Sequence, residues 1–188
     1  MQFCSRTSRS DTRLAEHVPA DPQPRIIVIG LGNPLLGDDS VGWRVVDEVE
    51  ALLRADRASG GIPAVEIQRL GVGGLRLMEC LTGYEAAILV DAAEFRDRPI
   101  GEVRSCCFDE LEDYGAGHLD SAHDASLRSA LDLGRSLGAA VPDRIETVTI
   151  QVRSTDVFSE ELSPEVRDAV PAAVAAVMRL LGSGEPGA

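Results

Sequence analysis

The chain has 188 residues, of which 44% are hydrophobic and 4% aromatic, and its formal net charge is −13. This length fits one domain with enough apolar material for a core. The acidic balance argues against a nucleic-acid partner, because phosphate binding depends on surplus Arg and Lys. No apolar stretch approaches the roughly 18 residues that a membrane span requires.

The first segment, residues 1–24, holds three arginines among serines and threonines but has no apolar run. It therefore does not match a secretory signal, and we interpret it as a disordered leader. The four cysteines show no metal-ligand spacing, and free thiols are typical of a cytoplasmic protein. We therefore expect a cytoplasmic location.

Strand and helix patterns alternate along the rest of the chain. The predicted strands cover residues 25–29, 65–68, 86–90, 101–108 and 145–152. The predicted helices begin near residues 41, 75, 126 and 164. This alternation predicts an α/β fold over residues 25–182, a three-layer α/β/α sandwich around a mostly parallel sheet of about five strands. Residues 183–188 are expected to form a loose tail.

Acidic and imidazole side chains lie where the predicted strands end or the following segments begin. Asp38 and Asp39 lie in the turn after the first strand, Asp91 ends the third strand, and His123 precedes the helix that starts near Ser126. Ligands bind at the carboxyl ends of the strands in open α/β sheets, so these groups are expected at one edge. Two carboxylates and an imidazole suit nickel or zinc and leave positions open for water or substrate. An Asp at a strand end is, however, equally a turn residue or a helix cap, and a loop histidine is often incidental.

The chain resembles the hydrogenase maturation endopeptidases, which process the large subunit of nickel–iron hydrogenases. Residues 30–42, Gly-Leu-Gly-Asn-Pro-Leu-Leu-Gly-Asp-Asp-Ser-Val-Gly, are similar to the family's opening motif. Residues 89–92 resemble its second motif, residues 121–131 its histidine segment and residues 162–166 the start of its last helix. The likeness runs in order from Arg25 to Leu181.

The resemblance implies an endopeptidase that removes a short C-terminal extension from the large-subunit precursor after nickel insertion. It also implies that Asp39, Asp91 and His123 are metal ligands. The implied metal is nickel, which is supplied by or shared with the precursor. Zinc or cadmium would substitute for nickel in a crystal. The first acidic ligand is often Glu in the family and is Asp39 here. Proton transfer is assigned to Asp38 or Asp39. Two mechanisms stay open: a metal that activates the carbonyl or water, and a metal that is only a docking mark.

The turn after the second predicted strand departs from the family pattern. Many members have an Asp-Gly-Gly-Thr turn, whereas residues 69–74 read Arg-Leu-Gly-Val-Gly-Gly, which puts a catalytic role for this turn in doubt. Gly71, Gly73 and Gly74 are candidate substrate contacts, because glycine lets a peptide approach the backbone closely. His118 is a further candidate contact. Turn formation and a solvated loop explain these residues equally well.

Three other functions are compatible with parts of the sequence. Peptidyl-tRNA hydrolases also open with a strand and Gly-Leu-Gly-Asn-Pro, but no histidine follows here before His118, and the negative charge fits tRNA poorly. A nucleotide-binding module would need a third glycine, and the acids would repel pyrophosphate. A non-catalytic chaperone for the nickel-loaded precursor is disfavoured by the complete set of two acids and a histidine.

Overall fold

The computed structural model describes residues 26–57, 65–95, 97–111 and 122–182, without the side chains of Arg57 and of residues 122–126. The predicted leader, the predicted tail and His118 lie outside these residues.

Five strands within the described residues form a single sheet. They are β1 (Ile26–Leu31), β2 (Val65–Leu70), β3 (Ala86–Ala93), β4 (Val103–Cys107) and β5 (Arg144–Gln151). Their order in the sheet is β2-β1-β3-β5-β4. All neighbouring pairs are parallel except β4 with β5, which is antiparallel and closes one edge. The prediction of a mostly parallel sheet is therefore confirmed.

Helices cover both faces of this sheet. They are α1 (Val41–Arg57), α2 (Gly74–Leu81), α3 (Ala122–Ser136) and α4 (Pro164–Gly182), and a single 3-10 turn (Gly37–Ser40) leads into α1. The apolar residues of α1 and α4 pack on one face, and those of α2 and α3 pack on the other. This is the predicted three-layer sandwich. None of the helices in the described ranges is long and apolar enough to cross a membrane.

Alternate side chains of the central strands enter different layers of the core. Val28 and Val90 are buried beneath α1 and α4, whereas Ile29 and Leu89 are buried beneath α2 and α3. Both faces of β1 and β3 are covered, which explains why these strands are continuously apolar. Polar side chains on these two strands are therefore exceptional, and Asp91 is one of them.

Glycines bring the start of α1 into backbone contact with the sheet. A Cβ atom on Gly42 would lie 2.3 Å from the carbonyl oxygen of Leu31 and 2.4 Å from that of Val90. A Cβ atom on Gly30 would lie 2.4 Å from the carbonyl oxygen of Gly42. Only glycine fits at these two positions, so they fix where the acidic turn sits above the carboxyl ends of β1 and β3.

Two of the predicted boundaries that differ from the structure concern candidate site residues. Asp91 was expected to end its strand, but β3 continues to Ala93 because its pairing with β5 extends to Gln151. The third helix was expected to begin near residue 126, but α3 begins at Ala122. His123 therefore lies in the first turn of a helix rather than before it.

Candidate functional site

Asp39 lies in the turn between β1 and α1 and is only 9% exposed. Its Oδ2 accepts a 2.6 Å hydrogen bond from the backbone N–H of Asn33. The Asn33 side chain in turn accepts a bond of 3.0 Å from the N–H of Leu35. Gly32 has φ of +127°, and a Cβ atom there would meet the carbonyl oxygen of Asp39 at 1.9 Å. The Asp39 carboxylate is thus held by a turn with almost no freedom to rearrange.

Asp38 points to a different partner. Its Oδ1 accepts a 2.6 Å hydrogen bond from the backbone N–H of Ser163, immediately before α4. The Oγ of Ser163 is buried and has no hydrogen-bond partner among the described residues. A carboxylate at a helix N-terminus is favourable because the first N–H groups carry partial positive charge. Asp38 therefore ties the acidic turn to the last helix.

Asp91 lies near the end of β3 and is 7% exposed. It pairs with Thr149 of β5 and, by strand alternation, shares the face of Leu89, which α2 and α3 cover. The neighbouring Thr147, Thr149 and Gln151 of β5 are buried as well. The apolar layer beneath α3 therefore becomes polar towards the carboxyl ends of β3 and β5.

Asp39 and Asp91 belong to the same edge of the sheet. The parallel strands β1 and β3 are neighbours, and Gly30 pairs with Val90, so the turn after β1 and Asp91 lie at the same level. Moving a carboxylate out of water costs several kcal/mol unless a positive charge or hydrogen bonds compensate. Asp39 and Asp91 are each less than a tenth exposed, and the Asn33 amide compensates part of this cost for Asp39. Two carboxylates therefore lie at the carboxyl ends of β1 and β3.

The predicted histidine ligand lies in the helix that covers this edge. His123 precedes Leu127 by four residues, and Leu127 is fully buried on the face of the sheet that carries Asp91. The His123 side chain is outside the described residues. Among the side chains that are described, no group of three His, Cys, Asp or Glu residues lies close enough to hold a metal ion.

The glycine-rich turn after β2 packs against the turn after β1. The carbonyl oxygen of Leu70 accepts hydrogen bonds from the N–H of Gly32, at 3.1 Å, and from Nε1 of Trp43, at 3.3 Å. Gly74, with φ of +58°, opens α2. The candidate contacts Gly71, Gly73 and Gly74 therefore belong to the edge that carries the acids. The hydrogen bond of Trp43 joins residues 27 positions apart and was not predicted from the sequence.

Arg69 lies in β2, just before the glycine-rich turn. Its guanidinium donates hydrogen bonds of 2.6 Å to Asp47 and to Glu50 of α1. The bond from Arg69 lowers the pKa of the Glu50 carboxyl. The side chain thus fastens the edge strand β2 to α1 and supplies no carboxylate to the site.

Comparisons with known proteins agree on one family. A family model described as hydrogenase maturation protease matches residues 44–180. The hydrogenase expression/formation protein HupD of Rhizobium leguminosarum bv. viciae is 27% identical over 162 residues, which cover 86% of this chain and 76% of HupD. The structure of the hydrogenase maturating endopeptidase HybD from E. coli is similar to this chain, with a TM-score of 0.68 and 26% sequence identity. The match covers 85% of this chain and 94% of the HybD chain. A hydrogenase 2 maturation peptidase from a Thaumarchaeota archaeon is 30% identical, with a TM-score of 0.55 and coverage of 84% and 98%.

Proposed function

The chain belongs to the hydrogenase maturation protease family, and we propose that it removes the C-terminal extension of a nickel-loaded nickel–iron hydrogenase large-subunit precursor. The observation that carries this proposal is the pair of buried carboxylates, Asp39 and Asp91, at one edge of the sheet. His123 lies in the first turn of the helix that covers this edge.

In this proposal the nickel ion is part of the substrate. Asp39, Asp91 and His123 provide oxygen and nitrogen donors, a mixture that nickel accepts. Three protein ligands leave room for ligands from the precursor, so the ion would bridge the two proteins. An aspartate is one methylene shorter than the glutamate frequent in the family, so the ion would lie closer to the turn between β1 and α1.

Hydrolysis of a peptide bond needs a group that takes a proton from the attacking water. We assign this role to Asp39, whose carboxylate is fixed at the edge of the sheet by the Asn33 amide. Asp38 assists by holding the turn in place through its bond to Ser163. The peptide would reach these carboxylates along the turn of Gly71, Gly73 and Gly74, where missing side chains leave the backbone accessible.

The experiment compares nickel-loaded and nickel-free precursor, each incubated with the purified protein and followed by intact mass. We expect loss of the C-terminal extension from the nickel-loaded form only. Equal cleavage of both forms would remove nickel from the recognition step, and failure to cleave either form would overturn the proposed function.

A matched pair of variants links the activity to the site. Asp91→Asn keeps the shape of a buried side chain and removes its charge, so we expect processing to fall more than a hundredfold. Asp143→Asn makes the same chemical change at an exposed residue just before β5, at the opposite edge of the sheet. This control is expected to process the precursor at the wild-type rate.

A further inference from the structure

An exposed apolar surface lies beside the acidic turn. Leu35 is 48% exposed, Val157 57% and Phe158 77%. Leu35 precedes the acids in the turn between β1 and α1, and the other two residues lie in the loop between β5 and α4. These three side chains are called the rim patch here.

The two loops that carry the rim patch are joined through their backbones. Leu36 and Ser159 form a parallel bridge. The N–H of Gly37 donates to the carbonyl oxygen of Ser159 at 2.6 Å, and the N–H of Ser159 donates to that of Leu35 at 3.1 Å. A Cβ atom on Gly37, with φ of +50°, would lie 3.2 Å from the Ser159 side chain, so the loops also touch closely. The rim patch is therefore one surface rather than two independent loops.

A second set of bonds fixes the loop that carries Phe158. The carboxylate of Glu94, just beyond β3, accepts bonds from the N–H of Thr155 at 2.6 Å and from its Oγ1 at 2.7 Å. At the other end, the N–H of Ser163 is bound to Asp38. An aromatic side chain that is exposed on a fixed loop binds a partner with little loss of conformational entropy.

The rim patch adjoins the turn that carries the two acids. Val157 lines a cavity of about 460 Å³ that also borders Gly37, Asp38 and Ser163. The backbone of the same turn runs from Leu35 to Asp39 within five residues. A precursor whose peptide bond reaches Asp39 would therefore approach the turn that carries Leu35.

The charges around the patch are balanced. Asp156, Glu160, Glu161 and Arg153 are exposed in the loop that carries Phe158. Arg44 and Arg167 donate to the carbonyl oxygens of Glu160 and Leu162, so two further positive charges lie beside these acids. We propose that the rim patch binds an apolar segment of the precursor, and that Phe158 is its main contact. This inference rests on the proposed function, and it assigns client recognition to a surface that contains no nickel ligand.

The test separates KM from kcat for cleavage of the nickel-loaded precursor. Burial of a phenylalanine side chain contributes about 1.5–3 kcal/mol, so Phe158→Ala is expected to raise KM about tenfold or more with a much smaller effect on kcat. Phe158→Glu should raise KM further, because it places a charge against an apolar segment of the precursor. Leu137→Glu is the control, since Leu137 is also 77% exposed but lies just beyond the C-terminal end of α3. Its KM is expected to equal that of the wild type.

Direct binding of nickel-loaded precursor to the wild type and to Phe158→Glu gives a readout that does not depend on cleavage. A tenfold or larger rise in Kd supports the inference even if the wild type fails to cleave, an outcome that would overturn the proposed function alone. Unchanged KM and Kd in both Phe158 variants would overturn the inference while leaving the function intact. Sedimentation of the free protein tests whether the patch is instead a contact between two copies of this chain. The inference would be overturned if the wild type were a dimer, Phe158→Glu were a monomer, and KM were unchanged.

Discussion

The carboxylate of Asp38 accepts a hydrogen bond of 2.6 Å from the backbone amide of Ser163, a residue 125 positions away. Its neighbour Asp39 instead accepts a bond from Asn33, in its own turn. The two adjacent acids therefore have different structural roles. Asp38 joins the first turn of the domain to its last helix, and Asp39 stays at the edge of the sheet.

Removal of the Asp38 carboxylate should weaken the start of α4. Loss of a capping acceptor costs about 0.5–2 kcal/mol, so we expect Asp38→Ala to lower the free energy of unfolding by about 1 kcal/mol. Asp38→Asn keeps an acceptor oxygen and should lose less, because only the charge is removed. Urea denaturation of the three proteins measures the difference. Identical midpoints for Asp38→Ala and the wild type would show that the bond does not stabilise the helix.

Gly42 should tolerate no side chain. A Cβ atom there would meet two carbonyl oxygens at 2.3 and 2.4 Å, and both belong to the buried ends of strands that cannot move. We expect Gly42→Ala to lower the free energy of unfolding by about 3 kcal/mol, the upper range for forced overpacking. Gly182→Ala is the matched control, because Gly182 ends α4 and has no atom within 4 Å of an added Cβ. Thermal unfolding should rank the control at or above the wild type and Gly42→Ala far below it.

The strand–helix alternation and the motif order were sufficient to predict the layers of the fold. They could not predict the reason for the glycines, which were interpreted as turn formers. Gly42 is required because α1 touches the carbonyl oxygen of Val90, a residue from a different strand. Such a contact depends on how three elements pack, and no local pattern records it.

The candidate site also combines features that the sequence could predict with features that it could not. Asp39 and Asp91 were predicted to share one edge of the sheet, and the parallel pairing of β1 with β3 brings the turn after β1 to the level of Asp91. The bond from Ser163 to Asp38 was not predictable, because it joins residues 125 positions apart through a backbone amide that has no sequence signature.

Tyr84 should make the fold sensitive to alkaline pH. Burial, together with the hydrogen bond of 2.6 Å to Glu66, raises the pKa of Tyr84 to about 12, from an ordinary value of 10.0. The pKa of Tyr84 is higher in the folded protein than in the unfolded chain. Its contribution to the free energy of unfolding is therefore complete below pH 10 and is lost as the pH rises towards 12. Solvent screening of this partly exposed pair limits the loss to about 1 kcal/mol.

The measurement is chemical denaturation of the wild type and of Tyr84→Phe at pH 9 and pH 11.5. The phenylalanine keeps the ring but cannot ionise or donate to Glu66, so its unfolding free energy should fall less over this interval. The two proteins differ in how steeply the unfolding free energy falls with pH. This difference gives the contribution of Tyr84, separate from the other groups that titrate at high pH. Parallel slopes would show that the Tyr84 hydroxyl ionises as readily in the folded protein as in the unfolded chain.

The two histidines of the segment before and within α3 are expected to differ in function. His123 lies in the first turn of α3, the helix whose Leu127 is fully buried on the Asp91 face. We expect His123→Ala to abolish processing of nickel-loaded precursor, with circular dichroism and Tm unchanged. His118→Ala, which removes a proposed substrate contact, should raise KM severalfold and leave kcat near the wild-type value. Full activity of His123→Ala together with loss of activity in His118→Ala would transfer the ligand role to His118 and leave Asp39 and Asp91 in the same site.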